Sequence, residues 1–194
     1  MASVLERGAG PLRIDMARQP DPALTDRPIE GSRYWSREFM EREWDGIWTR
    51  AWLIGGLVEQ VERPGDFFTY EIGRESILVT HGEDGVVRAF YNVCPHRGKR
   101  LVMEEQGHAK RIACSYHGWR FTSGGELNFV PCPEDFAGGS PCGKVRLEEL
   151  RCETFAGFVW VNMDPAAPPL AEHLGPVMPQ IDCYRMEQMR RPHW

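Results

Sequence analysis

Residues 93–102 read VCPHRGKRLV, and residues 112–121 read IACSYHGWRF. Each stretch holds one cysteine closely followed by one histidine: Cys94 with His96, and Cys114 with His117. A glycine comes one or two residues after each histidine, so each pair can occupy the tip of a short loop. Two thiols and two imidazoles suit either a [2Fe-2S] cluster or a zinc ion.

The order of the four candidate ligands separates these alternatives. A zinc finger presents two cysteines first and two histidines afterwards, at wider intervals. Here cysteine and histidine alternate along the chain. Zinc is therefore the weaker interpretation. Ordinary buried thiols beside surface histidines are weaker too, because two matched pairs rarely arise by chance.

The two stretches resemble the Rieske [2Fe-2S] motif of aromatic-ring-hydroxylating (Rieske non-haem iron) oxygenases, in the N-terminal region of the α subunit. The resemblance implies that Cys94 and Cys114 bind one iron of the cluster and that His96 and His117 bind the other. Two histidines in place of two thiolates make the cluster easier to reduce. The resemblance also places the imidazole edges near solvent, where the electron leaves, and gives the four residues a relay role rather than a catalytic one.

Comparison with high-potential Rieske proteins of cytochrome complexes indicates the subtype. Those proteins carry a disulfide across the cluster, where this chain has Lys99 and Tyr116. They also carry hydroxyl donors to the cluster sulfur, where this chain has Trp119 and Phe121. Because hydrogen bonds of that kind stabilise the reduced cluster, we predict a potential toward the lower end of the Rieske range, which runs from roughly −150 to +300 mV.

Composition limits the remaining possibilities. The 194 residues suffice for one domain with attached segments, and a net charge of −5 argues against nucleic-acid binding. The sequence contains neither an apolar stretch typical of a signal peptide nor a membrane span, which predicts a cytoplasmic protein without a membrane partner. Four further cysteines lack metal-like spacing, so we interpret them as structural thiols. They are Cys132, Cys142, Cys152 and Cys183.

The sequence predicts a mainly β fold: an antiparallel β sandwich with two cluster-binding loops, preceded by one amphipathic helix. We expect a flexible extension over 1–34, an aromatic helix over 35–51, the Rieske domain over 52–164 and a linker over 165–194. Ser36 can cap the helix, which should run to about Arg50. Helical spacing predicts one apolar face, formed by Phe39, Met40, Trp44, Ile47 and Trp48.

Short apolar runs between turn residues predict the strands. They are AWLIGGLV, DFFTYEIG, SILVTHG and VVRAFYNV, and two more within KVRLEELRCETFAGFVWVNMD. Hairpin turns are expected at 83–85 and within FTSGGELN. We expect Phe158, Trp160 and Val161 to close the sheet core, and the domain to end near Asp164.

An oxygen-activating iron needs two histidines and one carboxylate on one face. The histidines outside the motif do not stand in such a pattern, and we interpret them as surface or turn residues. They are His81, His108, His173 and His193. Mononuclear non-haem Fe(II) is thus expected only in a catalytic domain that these residues do not encode, and we expect the chain to be part of a longer subunit. Trp44, Trp48 and Trp194 would pack against that domain, which predicts that the isolated chain self-associates.

The leading functional hypothesis is electron transfer from a ferredoxin or reductase, through the cluster, to a mononuclear iron that activates dioxygen on an aromatic or other apolar substrate. That iron would lie in the catalytic domain of the same or a neighbouring subunit, and the resemblance implies a homotrimer. The alternatives are a free-standing Rieske ferredoxin and a zinc-stabilised module. Four basic residues could steer an acidic ferredoxin, namely Arg97, Lys99, Arg100 and Arg120.

Overall fold

The computed structural model describes residues 28–189. Most of the extension expected over 1–34 lies outside these residues, as do His193 and Trp194. Ten strands form the body of the protein. They are β1 (Leu53–Leu57), β2 (Asp66–Ile72), β3 (Glu75–His81), β4 (Val87–Tyr91), β5 (Gln106–His108), β6 (Arg111–Ala113), β7 (Arg120–Thr122), β8 (Leu127–Phe129), β9 (Glu149–Phe155) and β10 (Phe158–Asn162).

The strands form two antiparallel sheets. The larger has seven strands in the order β1-β10-β9-β4-β3-β2-β5, and the smaller has three in the order β6-β7-β8. The predicted hairpins join β3 to β4 and β7 to β8, which confirms both turns. The predicted mainly β, antiparallel fold is likewise confirmed. Strand β5 was not predicted, because its three residues, Gln-Gly-His, carry no apolar pattern.

The central strand β3 is buried on both faces, which explains its unbroken apolar run. Ile77 and Val79 point into one core cluster, and Leu78 points into another. The second cluster also contains Cys94 and Cys114 and fills the space between the two sheets. The candidate ligands are therefore anchored on the apolar core.

The predicted aromatic helix is present but changes its winding. Ser36 caps α1 (Arg37–Glu43) by accepting a hydrogen bond from Phe39 N at 3.3 Å, as predicted. The chain then continues as a π-helix over Trp44–Trp48. A π-helical turn holds more residues than an α-helical one, so the predicted single face does not persist.

The expectation that Trp44 packs outside this chain is wrong. Trp44 is only 6% exposed and packs in the chain's own core with Val61 and Phe68. The Arg74 guanidinium covers its ring at 5.0 Å. Three other residues of the predicted face stay exposed: Met40, Ile47 and Trp48.

The interior of β10 also differs from the expectation. Val159 and Val161 point into the core, whereas Trp160 and Phe158 point to the opposite face. There Trp160 packs with Trp52 and with Leu170, which is 1% exposed. Strand alternation requires this division, because neighbouring side chains point to opposite faces.

Packing continues past the predicted domain end at Asp164. Trp52 Nε1 donates a hydrogen bond to Pro168 O at 3.0 Å, and Leu170 belongs to the cluster with Trp160. Two short helices follow within the expected linker, α2 (Leu170–Leu174) and α3 (Met178–Asp182). None of the helices between residues 28 and 189 has the length and apolarity needed to cross a membrane.

Candidate metal centre

Two loops with matching backbone hydrogen bonds hold the four candidate ligands. In loop 1 (residues 94–99), Cys94 N donates to Lys99 O at 2.8 Å, and Gly98 N donates to Cys94 O at 2.9 Å. In loop 2 (residues 114–119), Cys114 N donates to Trp119 O at 2.8 Å, and Gly118 N donates to Cys114 O at 3.1 Å. Both loops thus form the same turn, closed four and five residues after the cysteine.

The turn requires glycine at its fourth position after the cysteine. Gly98 has φ +67° and Gly118 has φ +70°, values that strain a residue with a side chain. A Cβ on Gly98 would meet nothing within 4 Å, whereas one on Gly118 would lie 3.3 Å from Pro131 Cγ. The glycines noted in the sequence motif are therefore needed for the backbone of each turn.

The two cysteine side chains lie together at the base of the loops. Cys94 is 1% exposed and Cys114 is 4% exposed, and both belong to the same core cluster. Burial raises the pKa of the Cys94 thiol, while hydrogen bonds from the backbone N–H groups of His96 and Arg97 act in the opposite direction. The same N–H groups would stabilise a metal-bound thiolate.

The two histidine rings pack edge to face against each other. The ring centroids of His96 and His117 are 4.7 Å apart, with their planes at 68°. Burial, together with the charges of His117 and Arg97, lowers the pKa of His96, which favours the neutral imidazole that binds metals.

His117 provides the clearest sign of a missing partner atom. Its Nδ1 is buried and has no hydrogen-bond partner among the described residues. Buried polar atoms nearly always have a hydrogen-bond partner, so an unpaired imidazole nitrogen in a loop that also carries a buried cysteine suits a metal ligand. These residues therefore fit a [2Fe-2S] cluster.

Trp119 contributes to the site in a way that sequence reasoning missed. Its indole stacks on His96, with ring centroids 4.6 Å apart and planes at 6°. Trp119 is 7% exposed, and Phe121 is fully buried. Neither side chain carries a hydroxyl that could donate to the site. Tyr116 covers the second histidine, with its ring centroid 3.8 Å from that of His117. Only the position of Trp119, two residues after a histidine, hinted at this contact.

His81 and His108 have hydrogen-bond partners outside the two loops. His81 Nδ1 is 2.8 Å from Val61 O, and His108 Nδ1 is 2.9 Å from Asp66 Oδ1. Within residues 28–189, no group of three or more His, Cys, Asp or Glu side chains is arranged to hold a single metal ion. A two-iron cluster needs only two protein ligands on each iron, so this finding does not count against it.

The region has clear relatives among known proteins. The family model of the Rieske [2Fe-2S] domain matches residues 51–152. The large oxygenase component of the naphthalene 1,2-dioxygenase system of Pseudomonas putida is 44% identical over 140 residues, which cover 71% of this chain and 31% of that protein. The chain thus spans about a third of the length of the curated relatives it matches.

Solved structures agree with this similarity. A structure of naphthalene 1,2-dioxygenase with indole bound in its active site matches with a TM-score of 0.67 and 42% identity, over 72% of this chain and 32% of that one. The structure of a quaternary ammonium Rieske monooxygenase matches with a TM-score of 0.72 and 31% identity. That enzyme oxidises carnitine and transfers electrons between subunits. That alignment covers 78% of this chain and 41% of the monooxygenase chain.

Proposed function

Because this chain belongs to the Rieske [2Fe-2S] domain family, we propose that Cys94, His96, Cys114 and His117 bind a [2Fe-2S] cluster. The two thiols would hold one iron and the two imidazoles the other. The observation that carries the assignment is the buried Nδ1 of His117, which has no hydrogen-bond partner among the described residues. Its ring packs against that of His96, and the cysteines of both loops are buried.

The bound cluster would supply one-electron chemistry. The chain's own residues fix the ligands and shield them from water. The matching turns hold the two cysteines, and the apolar core beneath them excludes solvent from the sulfur side. The histidines are less deeply buried than the cysteines, so their edges are the shortest way for an electron to enter or leave.

Ligand replacement tests the assignment. The reconstituted chain should be red-brown and give a rhombic paramagnetic signal when reduced. Cys114→Ser and His117→Cys should lose that signal, while circular dichroism shows an intact β fold. Cys132→Ser and His108→Ala should keep it, because Cys132 is an exposed thiol and His108 pairs with Asp66. An unchanged signal in Cys114→Ser would overturn the assignment.

We further propose that the cluster serves an oxygenase, passing single electrons from a ferredoxin or reductase to a mononuclear non-haem iron. That iron would activate dioxygen on an aromatic or other apolar substrate in a catalytic domain of the same or a neighbouring subunit. The support is that the relatives are oxygenase components of dioxygenase and monooxygenase systems. Single-turnover oxidation by the full-length subunit, with naphthalene and carnitine as alternative probes, tests the activity and the substrate class.

The surface around the loops supports a negatively charged electron donor. Arg97, Lys99 and Arg120 are exposed, although the whole chain has a net charge of −5. Such a local patch accelerates association with an acidic partner, and salt screens the effect. Reduction by an acidic [2Fe-2S] ferredoxin should therefore slow as salt rises, and Lys99→Glu should slow it further. Rates independent of salt would contradict this docking proposal.

A further inference from the structure

Loops 1 and 2 are held at their bases in different ways. Loop 2 is flanked by the regular ladder of β6 and β7, in which Ala113 pairs with Arg120. Loop 1 has one isolated bridge at its base, between Val93 and Arg100, and β4 ends just before it. One further backbone hydrogen bond joins the two ends of loop 1, from Leu101 N to Asn92 O at 3.3 Å. This connection is shorter than the β6–β7 ladder, so side-chain contacts can add to it.

Asn92 supplies such contacts. It lies two residues before Cys94 and is 3% exposed. Its Oδ1 accepts a hydrogen bond from Val102 N at 2.9 Å, and its Nδ2 donates to Val102 O at 2.7 Å. The side chain thus bonds both backbone groups of Val102, as a neighbouring strand would. An aspartate cannot do this, because an ionised carboxylate only accepts hydrogen bonds.

The same amide continues into a closed ring of hydrogen bonds. Asn92 Nδ2 also donates to Ser76 Oγ at 3.1 Å, and Ser76 Oγ donates to Glu71 Oε1 at 2.7 Å. Arg100 Nη2 donates to Glu71 Oε1 at 2.6 Å, and Arg100 Nε donates to Val102 O at 2.9 Å. We call this ring, formed by Asn92, Ser76, Glu71, Arg100 and Val102, the loop-1 clamp.

We propose that Asn92 is a positioning residue for the cluster and that it acts through the loop-1 clamp to hold Cys94 and His96 in place. The inference rests on the proposed cluster function. Hydrogen-bond partners of metal ligands fix the orientation of those ligands, and replacing one typically costs about tenfold to a hundredfold in metal affinity or activity. Asn92 acts one step further back, on the backbone that carries Cys94 and His96. The clamp does this for loop 1, whereas the β6–β7 ladder does it for loop 2.

A matched control exists in the same chain. Asn162 is also a buried asparagine, at 1% exposure. Its Nδ2 donates to Arg50 O at 3.1 Å, and its Oδ1 accepts from Asp164 N at 2.9 Å. Asn162→Ala therefore removes a similar pair of hydrogen bonds at the end of β10, and it measures what a general loss of stability does to the cluster.

Amide hydrogen exchange tests the clamp in the 194-residue chain without relying on the cluster. In Asn92→Ala and Asn92→Asp, the amides of Cys94 and Gly98 should exchange at least about tenfold faster, because buried hydrogen bonds that oppose local opening are lost, while those of Cys114 and Gly118 keep their rates. Asn162→Ala should not produce this difference between the loops. Equal changes in both loops, or none, would overturn the proposal.

Cluster retention tests the functional consequence. With the reconstituted chain in excess chelator, Asn92→Ala should lose its visible absorption about tenfold faster than Asn162→Ala at equal fractions folded. Ser76→Ala and Glu71→Gln, toward the exposed end of the clamp, should show smaller accelerations in that order. Equal loss rates for the two asparagine variants would overturn the role. Absence of the rhombic signal in the parent chain would instead refute the proposed cluster function. In that case the amide hydrogen-exchange rates alone would show whether the loop-1 clamp fixes loop 1.

Discussion

At the scale of single residues, backbone conformation explains why glycine follows each ligand pair. Gly98→Ala should reduce the free energy of unfolding by about 1–2 kcal/mol, the cost of placing a Cβ at positive φ. Gly118→Ala should cost more, since its Cβ would also lie 3.3 Å from Pro131 Cγ. Gly46→Ala, at a position with open space and no positive φ, is the control and should not destabilise. Denaturant titration checks the order, and equal losses at 46 and 98 would contradict the strain argument.

The residues that follow His117 are the basis for a predicted reduction potential. Trp119 and Phe121 are buried and carry no hydroxyl, so they cannot donate the O–H hydrogen bonds that stabilise a reduced cluster. We therefore expect a midpoint toward the lower end of the roughly −150 to +300 mV Rieske range. A redox titration monitored by paramagnetic resonance measures it, and a clearly positive midpoint would refute this subtype.

Only some residues of the site can be identified from the sequence. Cys94, His96, Cys114 and His117 stand out because metal ligands have distinctive side chains and spacing. Asn92 and Trp119 do not, since an asparagine or a tryptophan acquires its role only from the neighbours that folding brings to it. Val102 and Ser76 meet Asn92 from 10 and 16 residues away along the chain.

At the scale of elements, the helical segment before the sheet combines one buried tryptophan with one exposed tryptophan. Trp44→Ala should destabilise the fold by about 3–5 kcal/mol, as large-to-small changes in a core do. Trp48 is 40% exposed, so Trp48→Ala should cost about 1 kcal/mol or less. Thermal and denaturant unfolding of the two variants provide the measurement. Similar losses would mean that the segment contributes to stability as a whole rather than through Trp44.

The β3–β4 hairpin makes a pH-dependent contribution to the free energy of unfolding. A hydrogen bond from Arg88, followed by one from Val86 N, lowers the pKa of Asp84 from 3.8 to about 2. Because the pKa of Asp84 is lower in the folded state than in the unfolded state, its ionised carboxylate stabilises the fold at pH values above the unfolded-state pKa. This stabilisation is lost as pH falls toward the folded-state pKa of about 2. The parent chain should therefore be more stable than Asp84→Asn at pH 6, and the difference should shrink below about pH 4. Glu83→Gln, in the same turn, is the control. A difference that stays constant with pH would contradict this origin.

The elements that were predicted correctly are those with strong local patterns. Long apolar runs and turn residues identify β2, β3 and β4 and the hairpin between the last two. Strand β5 escaped prediction because its pairing with β2 depends on tertiary contact rather than on its own sequence. The same reason applies to α2. Its proline-rich surroundings suggest an irregular linker, whereas in the structure Leu170 packs against Trp160.

At the scale of the whole molecule, the two-sheet arrangement brings the loops together. Loop 1 follows the large sheet, loop 2 connects strands of the small sheet, and one core cluster lies between them. The sequence predicted the two loops and the β class, because both depend on local signals. It could not predict how the sheets pack, or that Trp44 completes the core, because those contacts join residues far apart in the chain.

The aromatic residues left outside this core predict self-association of the isolated chain. Trp35 is 79% exposed and Tyr34 is 78% exposed, close in sequence to the partly exposed Trp48. Exposed apolar groups favour association, because burying them releases water. We expect the parent chain to bind an apolar fluorescent dye and to scatter as more than a monomer. The double variant Trp35→Gln, Trp48→Gln should reduce both effects, whereas Val86→Gln, at an exposed turn elsewhere, should not. A monomeric parent chain without dye binding would refute the prediction.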